Sequence, residues 1–92
     1  MTDLQGQRVL VVGLGRSGLA AARFLARCGA VVMVSDRRPP ATLAREAREL
    51  MAQKIGVELG VHRESTFLRQ DLIVVSPGVP ADLPALDAAR PH

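Results

Sequence analysis

Ninety-two residues, 48% of them apolar, with 12 basic side chains against 9 acidic for a formal charge of +3, describe one small domain or a piece of a larger protein. Only Phe24 and Phe67 are aromatic and the arginines alternate with acids, so no basic, ring-bearing face speaks for nucleic acid as a partner. The single cysteine, Cys28, excludes an internal disulfide, and no apolar run approaches the roughly 20 residues of a membrane helix; the expectation is a cytoplasmic protein with no membrane partner.

RVLVVG, residues 8–13, is a β-branched run ended by glycine, the pattern of a buried strand. A helix is expected from near Ser17 to near Cys28, stopped by Gly29. Ala21, Phe24, Leu25 and Cys28 form its expected apolar stripe, with Arg16, Arg23 and Arg27 on the opposite side. VVMVSD, residues 31–36, reads as a second strand. Pro39-Pro40 then separates it from a charged helix over 41–54. The buried side of that helix is expected at Leu43, Ala47, Leu50 and Met51, and Arg45 and Glu49 are spaced for an exposed pair. GVELG, residues 56–60, is a third short strand, followed by VHRESTFLRQ, polar and irregular with one helical turn. DLIVVS, residues 71–76, is the fourth strand; PGVPADLP breaks the chain, and ALDAAR opens a last helix.

Strands alternating with helices specify an α/β fold, a Rossmann-like three-layer α/β/α arrangement with a parallel sheet of order 3-2-1-4. In such a sheet ligands bind beyond the carboxyl ends of the strands, where the strand order reverses. Gly13–Gly18, Asp36–Arg38 and Ser76–Gly78 all follow predicted strands. Topology alone therefore brings three sequence-distant loops together.

Each loop carries chemistry. Gly13-Leu14-Gly15-Arg16-Ser17-Gly18 matches G-x-G-x-x-G between a strand and a helix. Gly13 suits the tight turn, Gly15 lets a phosphate approach the main chain, and Gly18 lets the helix pack against the strand. The helix start offers unpaired N–H groups to a diphosphate, with Ser17 adding a hydroxyl and a cap and Arg16 adding charge. Asp36 at the end of the second strand would bind ribose hydroxyls in an NAD protein, whereas Arg37 and Arg38 suit the extra phosphate of NADP; together they match neither cofactor cleanly. Ser76-Pro77-Gly78 supplies a hydroxyl, a ladder-ending proline and a free amide. The plainer alternatives are a packing turn, a turn-capping aspartate, solvated arginines and a strand-ending turn. His62 and His92 read as surface residues and Cys28 as inert core, since no metal-type spacing is present.

GLGRSGLAAARFLARCGAVVMVSDRR followed by DLIVVSPGVP resembles the N-terminal domain of the Mur ligases, and within them the D-glutamate-adding branch. The resemblance runs from Gln5 to about Arg90, and the S-P-G-V loop does most to separate it from dehydrogenases. It implies a domain over residues 1–92 that holds the UDP end of UDP-N-acetylmuramoyl-L-alanine. Gly15, Arg16, Ser17 and Gly18 would hold the diphosphate. Asp36 and the amide of Arg37 would read the uracil edge, with Arg38 close by. Ser76, Pro77 and Gly78 would line the nucleotide from the other side. The carboxylate at 36 would accept the uracil imide hydrogen.

The resemblance also implies what lies elsewhere. No G-x-x-x-x-G-K-[ST] segment is present, so ATP and Mg2+ are expected in a central domain and the incoming amino acid in a C-terminal one, the partners of this domain in a natural chain. The chain by itself is expected to bind without catalysing and to hold no catalytic residue, cofactor or metal. Relatives carry a fifth strand beside the fourth; without it DLIVVS would be an apolar edge. Two rivals stay open at this point: an NAD(P)-binding domain of a dehydrogenase or regulatory protein, and a structural α/β module.

Overall fold

The computed structural model describes residues 3–77, 79 and 83–89. In chain order the elements are β1 (Arg8–Val12), α1 (Arg16–Arg27), β2 (Val31–Asp36), α2 (Ala44–Ala52), β3 (Gly56–Leu59), α3 (Glu64–Leu68), β4 (Leu72–Val75) and α4 (Pro84–Ala89). The four strands form one parallel sheet in the order β3-β2-β1-β4. The expected topology is the observed one, and the strand ends agree to within a residue.

Alternation along β1 builds two cores from one strand. Val9 and Val11 pack with Val32, Val34, Ala22, Leu25, Leu43 and Leu50 on the side of α1 and α2. Leu10 and Val12 face the other way, against Phe67, Leu83 and Leu86 on the side of α3 and α4. All four of these β1 residues are fully buried, as a central parallel strand requires. β4 is the outer strand beside β1 among the described residues, and Leu72 and Val75 on it are 42% and 40% exposed.

Two helix faces differ from the periodicity reading. The buried residues of α1 are Gly18, Ala22 and Leu25, and Phe24 is exposed. An apolar count passes over glycine, yet the absent side chain of Gly18 is what lets this face approach the sheet. The buried face therefore shares Leu25 with the expected one but is turned by roughly 75° from it. α2 is likewise shorter than expected. It inserts Leu43 and Leu50, with Ala47 half-buried between them, and leaves Met51 exposed one residue further round. Arg45 and Glu49 lie 3.7 Å apart as an i,i+4 pair, and Glu49 also receives Arg23 of α1 at 2.9 Å. Arg23 thus bridges two helices rather than standing in water. Cys28, expected in the core, is half-buried at the end of α1.

Candidate functional site

The turn from β1 into α1 explains two of its three glycines internally. Gly13 has φ +95°, in the left-handed region, and a Cβ there would sit 2.7 Å from Val79. A Cβ on Gly18 would overlap the carbonyl oxygen of Gly13 and crowd the Ser76 hydroxyl. Gly15 is different: among the described residues, its own chain neighbours aside, nothing lies within 4 Å of its would-be Cβ, and its φ of −94° suits any residue. Neither packing nor backbone demands a glycine there.

Gly15 is also the N-cap of α1, and it provides no side-chain bond. Ser17, expected to cap the helix, lies exposed inside the first turn and does not do so. Leu19 N–H donates to the Gly15 carbonyl at 2.9 Å, so by helix geometry the amides of Arg16, Ser17 and Gly18 come before the first internal bond. Those residues, with Gly13, Leu14, Gly15, Asp36, Arg38, Ser76, Pro77 and Val79, line a cleft of about 370 Å³. Arg16 is exposed and makes no ion pair among the described residues.

Asp36 ends β2 as a hub and is only 6% exposed. One carboxylate oxygen accepts the Leu14 amide at 2.7 Å and Arg38 Nη2 at 3.0 Å. The other accepts the Arg38 amide at 2.8 Å and Arg38 Nε at 3.1 Å. Arg38 Nη2 also donates to the Leu14 carbonyl at 2.9 Å. Burial alone would push the carboxyl pKa up, but the Arg38 and Leu14 donors outweigh it and hold the group at about 2. The carboxylate stays ionised and its four acceptor positions are filled from within the chain. An imide hydrogen could reach it only by displacing Arg38. Arg37 is exposed beside it.

Ser76 follows β4 and ties the third loop to the first: its hydroxyl donates to the Gly13 carbonyl at 2.9 Å. Pro77 lines the same cleft, and Gly78 lies outside the described residues. Nine of the ten residues expected to contact a ligand are thus described, and Gly15–Gly18, Asp36, Arg38, Ser76 and Pro77 border one cleft. Arg37 lies next door, on a second cavity of about 450 Å³ lined by Gly13, Asp36, Arg37, Arg38, Pro39, His62, Val79 and Leu83. The two spaces share Gly13, Asp36, Arg38 and Val79 and form one extended groove.

The sequence reading places His62 on the surface, and the structure corrects it. It is half-buried rather than a surface residue, with Nδ1 2.7 Å from the hydroxyl of fully buried Ser35 and its ring edge-on to Phe67. Burial pushes its pKa below the ordinary value, Arg37 adds to that, and Asp36 and Glu58 oppose it. The signal was available in the topology. His62 follows the carboxyl end of β3, the neighbour of β2, and Gly60 N–H donates to the Asp36 carbonyl at 2.9 Å. Among the described residues no group of three His, Cys, Asp or Glu could hold a metal ion.

The model of the Mur ligase MurD-like, N-terminal domain family matches residues 7–92. This chain belongs to that family. MurD-like relatives agree with it over nearly its whole length. The UDP-N-acetylmuramoylalanine--D-glutamate ligase of Acidobacterium capsulatum is 58% identical over 88 residues, 96% of this chain and 19% of the relative. The ligase of the same name from Koribacter versatilis is 56% identical over the same shares. The chain spans about one fifth of the length of the curated relatives it matches. Among solved structures, the precorrin-2 dehydrogenase SirC superposes with TM-score 0.67 at 28% identity, covering 83% of this chain and 37% of that one. Glutamyl-tRNA reductase from Methanopyrus kandleri also reaches 0.67, at 24% identity over 95% of this MurD-like domain and 22% of the reductase, a likeness of fold alone. No helix of the described residues is long and apolar enough to cross a membrane.

Proposed function

We propose that this chain is the nucleotide-sugar-binding domain of an ATP-dependent ligase that joins D-glutamate to UDP-N-acetylmuramoyl-L-alanine, a cytoplasmic step of peptidoglycan synthesis. The printed activity of the MurD-like relatives supports the ligase reading. The observation that carries the site is the convergence of the loops after β1, β2 and β4 on one groove, with a glycine at 15 that the fold itself does not need. In this reading the diphosphate lies against Gly15 and the amides of Arg16, Ser17 and Gly18, where the partial positive charge of a helix start favours an anion. Arg16 and Arg37 add charge from solvent. The base lies in the neighbouring cavity beside the Arg37 amide, with Ser76 and Pro77 across the phosphates. The chain's residues bind and orient the nucleotide; ATP and Mg2+ act through other domains of the ligase, and no residue here is assigned to the chemical step.

Titration with UDP-N-acetylmuramoyl-L-alanine, UDP and NADPH, followed through backbone amides by NMR, tests the reading. The expected result is shifts at Gly15–Gly18, Asp36–Arg38 and Ser76 with both uridine compounds. A response to NADPH alone would overturn it in favour of a dinucleotide-binding domain.

A further inference from the structure

We propose that the amino ends of the strands carry a second ligand site, separate from the groove, which takes a small organic phosphate. It does not rest on the nucleotide assigned above. A cavity of about 360 Å³, of the size small molecules occupy, opens there. Arg8, Val31 and Gly56 on its lining are the first residues of β1, β2 and β3. The groove lies beyond the other ends of these strands, about 16 Å away along a five-residue strand. The opening has a cause in the helix that packs on this face. α3 has five residues and a length of about 7 Å, too short to cover the sheet from end to end.

The cavity has an apolar floor and a cationic rim. Val31 and Met33 alternate onto the α3 side of β2, and Val31 is 61% exposed. Arg8, Lys54 and Arg69 border the space, and among the described residues no acid does. The side chains of Lys54 and Arg69 make no hydrogen bond or ion pair among the described residues. Arg8 meets Asp71 through one nitrogen at 3.4 Å, with its side chain exposed. Glu58, on the same face of β3, accepts the Thr66 hydroxyl at 2.9 Å. Unneutralised positive charge therefore surrounds a shaped space, and two guanidinium forks with an ammonium are donors matched to phosphate oxygens. Val31 and Met33 would lie beneath the carbon skeleton that carries the phosphate.

Lys54 supplies an independent observation. At the end of α1, Gly29 N–H donates to the Ala26 carbonyl at 3.0 Å and Ala30 N–H to Leu25 at 3.2 Å. At the end of α2, Lys54 N–H donates to Met51 at 3.0 Å and Ile55 N–H to Leu50 at 3.0 Å. The two helices close with the same Schellman motif, whose pivotal residue takes a left-handed conformation and is usually glycine. Gly29 has φ +88°; Lys54 has φ +63° and is the one non-glycine with positive φ among the described residues. The backbone at 54 thus favours a residue without a side chain. What lysine adds there is a charge at the rim of the cavity. A cation past a helix end also offsets the helix dipole, a benefit to folding that binding measurements separate from a ligand contact.

The test titrates the chain with phenyl phosphate and with inorganic phosphate, followed through backbone amides by NMR. Phenyl phosphate is expected to shift Arg8, Val31, Ile55, Gly56, Arg69 and Gln70, and to bind more tightly than inorganic phosphate because of the apolar floor. Lys54→Gly and Arg69→Gln should each weaken phenyl phosphate by about three- to tenfold, the worth of one charged contact at a half-open site. Lys54→Gly should keep or raise the urea midpoint, since glycine suits the backbone at 54. Its binding loss therefore cannot come from misfolding, and a fallen midpoint would overturn the reading of residue 54. Shifts confined to Gly15–Gly18, equal affinity for the two phosphates, or affinity that survives both substitutions would overturn the site. UDP binding in the groove should be unchanged in both variants, so a failure here and a failure of the nucleotide reading are told apart.

Discussion

Removing the Asp36 carboxylate should cost the domain stability before any ligand is considered. Asp36→Ala deletes the acceptor of the Leu14 amide, a residue 3% exposed, and releases three donors of Arg38. An orphaned buried donor costs about 1–3 kcal/mol, and the half-exposed Arg38 contributes less because water can take over its bonds. The expected loss is about 2–4 kcal/mol. With a urea m-value near 1 kcal/mol/M for a chain of this size, the midpoint should fall by about 2 M or more. Far-UV circular dichroism is the suitable probe, since the chain has no Trp or Tyr. Acid titration isolates the charge itself. The folded pKa is about 2 against an ordinary 3.8, so the contribution of the group is complete above 3.8 and is lost as pH falls towards 2. Its full amplitude is about 2 kcal/mol, and the stability gap between the parent chain and Asp36→Asn should close by that amount between pH 5 and pH 2. Parallel stability curves across that range, or an Asp36→Ala midpoint within 0.5 M (roughly 0.5 kcal/mol) of the parent, would refute the hub described above.

Two glycine substitutions should separate packing from ligand approach. Gly18→Ala should lower stability by roughly 2 kcal/mol or more in urea melts, because the new methyl group meets the Gly13 carbonyl. Gly15→Ala should change stability by less than about 1 kcal/mol, yet reduce UDP affinity at least tenfold in calorimetry, since the added carbon occupies space the fold leaves open. Along β4, Leu72 and Val75 leave an apolar outer edge, so sedimentation velocity should detect concentration-dependent association that Leu72→Lys suppresses. A monomer at all concentrations would remove that expectation.

The sheet was legible because β-branched runs punctuated by glycine and proline leave little choice of strand, and the alternation with helices leaves little choice of order. The groove was legible for the same reason, as its loops are the strand ends that such an order gathers. Side-chain partnerships were not. The periodicity of α1 could not reveal that a glycine, rather than Phe24, faces the sheet. Asp36 could be placed at the groove from its position after β2, but its saturation by Leu14 and Arg38 depends on the exact fall of two loops. His62 illustrates the opposite failure: its place after β3 was readable, yet a lone histidine in a polar segment gives no composition signal. The families sharing this fold are separated by the match to MurD-like domains, which no feature of the sheet supplies.

The turn after β1 has one further property. Its successive peptide groups are moored from separate strands: the Gly13 carbonyl by Ser76, the Leu14 amide by Asp36, and the Leu14 carbonyl by Arg38. A segment usually pictured as a supple strap is therefore closer to a cast mould, its freedom surrendered during folding. A guest arriving there has little ordering left to impose, and more of its contact energy survives as affinity.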